Sequence, residues 1–146
     1  MWSSAIQRRD TAPPSKGFAT LLGVEEWDIR VTNEILAWIN ALDERSRVQV
    51  VDAIDRLAEA GPSLGRPLVD KLEGSQVHNL KELRPGSAGR SEIRILFVFD
   101  PWRSAILLIG GDKSGDWTGW YRRAIPRAEE LYAKYLAERE TEEKNR

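Results

Sequence analysis

Residues 78–136, HNLKELRPGSAGRSEIRILFVFDPWRSAILLIGGDKSGDWTGWYRRAIPRAEELYAKYL, decide the fold. Within them, residues 91–100 alternate Ile93, Ile95, Phe97 and Phe99 against Arg94, Leu96 and Val98. Both sets are largely apolar, which is the pattern of a central strand. Residues 105–109 (AILLI) read as a second central strand, separated from the first by a turn at residues 101–104 (PWRS). Residues 78–84 read as a third, with Leu80 and Glu82 on one side and Lys81 and Leu83 on the other; residues 85–89 (PGSAG) are turn chemistry. Three strands so closely spaced predict an antiparallel meander. Residues 110–119 (GGDKSGDWTG) read as a Gly-rich loop. A last helix is expected from about Pro126, because proline suits a first helical position, with Ala128, Leu131, Tyr132, Tyr135 and Leu136 as one apolar stripe.

Upstream, residues 27–32 (WDIRVT) alternate with period two and predict a half-buried strand. Thr32 or Asn33 can cap a helix carrying Ile35, Leu36, Trp38, Ile39 and Leu42. Asp43 can cap a second helix carrying Val48, Val51, Ile54, Leu57 and Ala58, which Gly61 and Pro62 would end. The pair predicts an N-terminal helical hairpin, and residues 62–73 a connecting loop. The expected architecture is α+β: an antiparallel sheet with the hairpin before it, a C-terminal helix after it, and the helices on one face. Residues 25–137 would form the domain. Residues 1–24 would be a flexible extension, or the product of a start codon placed too far upstream, and residues 138–146 a frayed tail.

The 146 residues suit one domain, and 41% hydrophobic with 31% charged residues is ordinary for a globular protein. No apolar run approaches a membrane span, and the first residues lack the apolar stretch of a secretory leader. Cysteine is absent, which removes disulfides and thiolate metal sites and is compatible with a cytoplasmic location. The net charge of −1 argues against a protein that coats nucleic acid generally. Its distribution is uneven: residues 78–127 hold nine basic and five acidic side chains, the rest thirteen and eighteen. The basic stretch permits a phosphate-binding face.

A single histidine excludes a two-histidine nuclease, and no nucleophile elbow, phosphate loop or zinc-protease helix is present. Asp112 and Asp116 read as turn and cap residues, so no metal and no cofactor is expected. Arg94 is the most informative residue. A charge in an apolar strand must be paired, with Glu82 the available acid, or must line a cleft. Lys81 and Arg84 lie three apart, so they face opposite sides of a strand unless a bulge intervenes. Lys113 lies where exposed backbone N–H groups can hold a phosphate, or is simply a turn lysine. Trp117, Trp120 and Tyr121, followed by Arg122 and Arg123, combine stacking surfaces with cations, although core packing accounts equally for one tryptophan. His78 is a base by chemistry and a surface residue by position.

LKELR at residues 80–84, RILFVF at 94–99, AILLIGGDK at 105–113 and the run 120–136, in this order and spacing, resemble the HigB-like, phage-derived branch of the RelE/ParE toxin superfamily. The resemblance covers about residues 26–136. It implies a RelE-like fold and the toxin half of a type II toxin–antitoxin pair. The implied activity is metal-independent cleavage of mRNA on the ribosome, which inhibits translation, with neutralisation by a cognate antitoxin, expected to be a helix-turn-helix protein. Carried over by position, the catalytic group is Arg94 for the phosphate, Lys113 as the basic residue after the next strand, and Tyr121 as the terminal aromatic, with Trp120 its competing alignment. The RNA-contacting set is Lys81, Arg84, Trp120, Arg122 and Arg123. Two departures stand out: the slightly acidic total charge, and Glu82 where some members carry a cation. The alternatives are a ParE-like toxin that poisons gyrase by protein contact and an inactive partner in an antitoxin complex.

Overall fold

A computed structural model describes residues 2–4, 26–86 and 92–145. The described chain runs β1 (Trp2–Ser4), β2 (Asp28–Thr32), α1 (Asn33–Ala41), α2 (Glu44–Ala60), a single 3-10 turn (Gly61–Ser63), β3 (Val69–Lys71), β4 (Lys81–Leu83), β5 (Ile93–Phe99), β6 (Ser104–Asp112) and α3 (Trp117–Lys144). Among these residues the six strands make one sheet in the order β1-β2-β6-β5-β4-β3.

The sheet is mixed, which corrects the expectation of an antiparallel one. Strands β3 to β6 form the antiparallel meander, but β2 lies parallel to β6, Ile29 beside Ala105 and Val31 beside Leu107. The parallel pair follows from the route of the chain: two helices and three strands intervene between β2 and β6, giving the long crossover that parallel neighbours need.

The helices also lie on both faces of the sheet rather than one. Ile35, Ile39, Val50, Ala53, Ile54, Leu57 and Ala58 of α1 and α2 share one core with Ile29, Val31, Ile95, Phe97, Ala105 and Leu107. Ala124, Ala128, Leu131 and Tyr135 of α3 share a second with Leu80, Leu96, Val98, Ile106 and Leu108. The apolar alternation of β5 on both faces is explained by this double cover. Two residues of β6 break the alternation, because the ladder steps from Leu96–Ile109 to Phe97–Leu107 and leaves Leu108 as a bulge. Beyond the bulge Gly110 faces α1 and Gly111 faces α3. A Cβ would strike the Trp38 indole at the first and the Trp120 indole at the second.

The expected caps are present. Thr32 accepts from the Ile35 N–H at 3.1 Å and Asp43 from the Ser46 N–H at 2.7 Å. Gly61 ends α2 at φ 58°, with the Trp27 indole where a side chain would go. The buried stripe of α2 begins at Val50, whereas Val48 is 60% exposed. The segment expected to be loop after Gly61 contains β3, too short to show a period. The other correction is α3. It starts at Trp117, not Pro126, because the Asp116 carboxylate accepts from the Gly119 N–H, and Pro126 sits inside the helix. There it forgoes the bond to the carbonyl four residues back.

Trp2–Ser4, expected in a flexible extension, pairs antiparallel with β2 as β1; residues 5–25 of that segment, and residues 87–91 with most of the PGSAG turn, lie outside the described residues. The expected tail is helical to Lys144, and Glu138 accepts from the Trp2 indole at 3.1 Å. No described helix is long and apolar enough to cross a membrane.

Candidate nucleic-acid site

The α3 face of the sheet collects the charges. Glu82 lies opposite Leu96, and Arg94 lies two residues along β5 from Leu96, opposite Gly111. Period two therefore places Glu82 and Arg94 on the face that α3 covers. Because position 111 has no side chain, the Trp120 indole settles against the strand next to Arg94. Trp120 meets the Tyr121 ring edge-on at 5.0 Å.

Glu82 is the centre of the group. It is 2% exposed, accepts from the Tyr121 hydroxyl at 2.5 Å and from Arg84 Nε at 2.8 Å. Arg84 also reaches Asp70 at 3.0 Å, which Arg66 contacts at the same distance. Burial alone would raise the Asp70 carboxyl. The Arg66 side chain and the Lys71 N–H, with the Arg66 and Arg84 charges, outweigh it and hold the group below the ordinary range. Arg94 is 6% exposed and donates to the Ile93 carbonyl at 2.8 Å. It lies close enough to Tyr121 to act on that phenol. Burial, then the hydrogen bond and charge of Glu82, push the Tyr121 hydroxyl far above its usual range, and Arg94 pulls the other way. The phenol is thus a hydrogen-bond donor throughout neutral pH.

Lys113 follows β6, and its N–H extends the ladder to the Glu92 carbonyl at 2.9 Å. Two residues from Gly111 on the same face, it lies about 7 Å along the strand by rise. Its ammonium pairs with Glu92 at 3.0 Å and stands over the Trp117 ring, 5.9 Å from the centroid.

Of the residues expected from sequence, Arg84, Arg94, Trp120 and Tyr121 come together, and Lys113 is linked to them only through Trp117, which meets Tyr121. Lys81 does not: it lies opposite Phe97, whose side chain belongs to the core under α1 and α2. Arg122 and Arg123 are exposed on the helix flank turned away from the sheet, and Arg123 contacts Asp116 at 3.6 Å. His78 is exposed in the turn before β4. Sequence reasoning treated Glu82 as a departure or as a partner for Arg94; its place on the Leu80 side of an apolar strand was the signal that it is buried. Among the described residues no three histidine, aspartate or glutamate side chains gather as a metal-ligand set.

A second phenol is held in the same way at the far end of β5. Tyr135 donates to buried Asp100 at 2.6 Å, and burial followed by Asp100 raises it well above its usual range. Raised phenols stabilise the fold fully below about pH 10, where unfolded tyrosines are still protonated. Above that the unfolded chain releases protons that the folded chain keeps, so stability should fall as pH rises. The slope is about 1.4 kcal/mol per pH unit for Tyr135, with Tyr121 adding in the same direction. Chemical denaturation at stepped alkaline pH measures it; a flat profile there would contradict the burial of both hydroxyls.

The family model described as phage-derived protein Gp49-like (DUF891) matches residues 37–133. Two Mycobacterium tuberculosis relatives carry toxin names. The one named HigB2 is 55% identical over 104 residues, 71% of this chain and 52% of that relative. The one named HigB3 is 52% identical over 104 residues, 71% of this chain and 89% of the relative. The match to the HigB2-named protein spans about half of its length.

Proposed function

The chain belongs to the Gp49-like, phage-derived family of HigB-like toxins, and from that premise we propose that it is the toxin of a type II toxin–antitoxin pair, with a RelE-like fold, that cuts mRNA on the ribosome without a metal. A cognate antitoxin is its expected partner and the cytoplasm its site of action. The observation that carries this reading is that Arg84 and Tyr121 both bond one buried carboxylate, Glu82, on the sheet face that also holds Arg94, with Lys113 just beyond the end of β6 on that side.

In the proposed reaction the 2′-oxygen of one nucleotide attacks the adjacent phosphorus and loses its proton. The bond to the 5′-oxygen breaks, and that oxygen takes up a proton. A 2′,3′-cyclic phosphate and a 5′-hydroxyl result. Charge builds on the phosphate oxygens in between. Cations and donors fixed beforehand in a poorly solvated site stabilise that charge more than mobile water does. Lys113 and Arg84, partly exposed, are more accessible cations than Arg94. Arg94, buried opposite Gly111 where the Trp120 indole settles, contributes its field from there. Tyr121 offers a hydroxyl that stays protonated. Glu82 positions Arg84 and Tyr121.

One observation favours a second reading. Arg94 is buried and bonded to the Ile93 carbonyl, and Tyr121 is latched to Glu82. A closed group of this kind also suits a toxin that acts by protein contact, as in the gyrase-directed branch, or an inactive partner.

The test is cell-free translation of a reporter mRNA with 5′ ends mapped by primer extension, comparing wild type, Arg94→Ala and Lys113→Ala. Cuts within translated codons are expected with wild type and should fall by roughly 100- to 1000-fold in either variant. Lys113 is less buried than Arg94, its side chain 18% exposed and paired with Glu92, and a thermal melt of each variant separates chemistry from folding. Cuts that survive both substitutions keep the enzyme and discard this site. No cuts from folded wild type, with active ribosomes, select the protein-contact or the inactive-partner reading.

A further inference from the structure

We propose that Trp117 is a stacking platform for an unpaired base of the RNA, at the nucleotide next to the one being cut; the inference rests on the ribonuclease reading above. Trp117 opens α3 and is 60% exposed. Among the described residues only Val48, on α2 across the sheet, joins it as an exposed large apolar side chain. The other five tryptophans each have a place in the packing. Trp2 meets Tyr135 and Trp27 meets Phe99 edge-on, Trp38 and Trp120 cover Gly110 and Gly111, and Trp102 lies under the Arg139 guanidinium. Trp117 instead touches members of the candidate site: the Tyr121 ring, perpendicular at 6.3 Å, and the Lys113 ammonium over its face.

Two physical points favour a nucleobase over a protein partner. First, an indole beside an ammonium matches the alternation of single-stranded RNA, a flat base next to a phosphate. Secondly, an anchor for a protein partner sits in a desolvated, apolar pocket, whereas Trp117 is flanked by exposed Asp112, Ser114, Gly115, Asp116 and Thr118. One helical turn separates Trp117 from Tyr121, which puts the stacked base beside the reacting phosphate rather than at it. Stacking accepts any base, so Trp117 would add affinity and hold the strand in line without setting sequence preference.

The probe is a short fluorescein-labelled RNA carrying 2′-deoxynucleotides so that it cannot be cut, offered free and on ribosomes programmed with it. Binding is read by anisotropy when free and by co-sedimentation on ribosomes. Trp117→Leu should weaken binding by roughly 5- to 100-fold, and Trp117→Phe should restore most of it. Replacing single bases by abasic nucleotides identifies the stacked one. That abasic RNA should bind wild type as weakly as it binds Trp117→Leu, while Val48→Ser changes nothing. Wild-type affinity in Trp117→Leu overturns the proposal. So does a loss that is the same at every abasic position. Unchanged RNA binding with weakened co-purification of the antitoxin assigns Trp117 to a protein interface and overturns it too. Wild type that binds neither form of the RNA overturns the ribonuclease reading itself, and the stacking with it.

Discussion

Replacing Asp100 by alanine is expected to lower stability by about 3–5 kcal/mol. The carboxylate is 6% exposed and carries three donors: the Trp102 and Ser104 N–H groups at 2.9 and 2.8 Å, and the Tyr135 hydroxyl at 2.6 Å. Alanine leaves the Ser104 N–H and the Tyr135 hydroxyl without an acceptor in a buried space and the Trp102 N–H in a part-buried one, and each abandoned buried donor costs about 1–3 kcal/mol before relaxation. The three bonds also tie different parts of the fold. Two close the turn between β5 and β6, and the third fastens that turn to α3. Tyr135→Phe removes only the last and should cost about 1–1.5 kcal/mol. Urea denaturation of both variants measures the difference. An Asp100→Ala protein within about 1 kcal/mol of wild type would show that water replaces the carboxylate and that the turn holds by itself. Arg94 lies near the opposite end of β5, about 20 Å away by strand rise. At a temperature where the variant is folded, its RNA cutting should therefore match wild type.

Asp100 also marks where the sequence stops being legible. A turn at residues 101–104 follows from local chemistry, because proline and a short polar run interrupt two apolar strands. The bond to Tyr135, thirty-five positions away, leaves no local trace. The same division runs through the fold. Strands β5 and β6 are readable because seven and nine residues carry an apolar pattern, whereas three-residue β3 carries none. The parallel pairing of β2 with β6 is invisible, since alternation encodes which way side chains point and not which way a neighbour runs. Pro126 misplaced the start of α3 because a signal that favours a first turn was stronger locally than an aspartate cap in a Gly-rich stretch. In the site, Arg94 was conspicuous as a charge among apolar residues. Lys113 and Tyr121 stood out weakly, as a loop lysine and one of three clustered aromatics, and took their catalytic roles from the family resemblance. Arg122 and Arg123 were drawn in by adjacency to Tyr121, although a turn of 100° per residue carries them off its face.

Glu82 separates the structural and the chemical roles of the site most sharply. Glu82→Ala removes a buried acceptor from Tyr121 and Arg84 and should cost about 2–4 kcal/mol. Arg84 keeps Asp70 and is partly solvated, which holds the loss below that of a fully buried broken pair. Glu82→Gln keeps the volume and one acceptor oxygen and should cost about 1–2 kcal/mol. The glutamine variant is the informative one, because it removes the charge without emptying the space. With that charge gone, one of the two influences raising the Tyr121 phenol beyond burial disappears, while Arg94 still pulls it down. Tyr121 should then titrate closer to its ordinary range, visible as a tyrosinate absorbance change that appears at lower pH than in wild type. Its share of the stability below about pH 10 should shrink accordingly, because the gap between its folded and unfolded values narrows. If Glu82 positions Arg84 and Tyr121 for RNA cleavage, the cutting rate in Glu82→Gln falls by about tenfold or more while binding of uncleavable RNA changes little, since the cations that attract phosphate remain. A glutamine variant that shifts the phenol but cuts at the wild-type rate would make the Glu82–Tyr121 bond a fastener between β4 and α3, and would leave Lys113 and the two arginines to carry the chemistry without it.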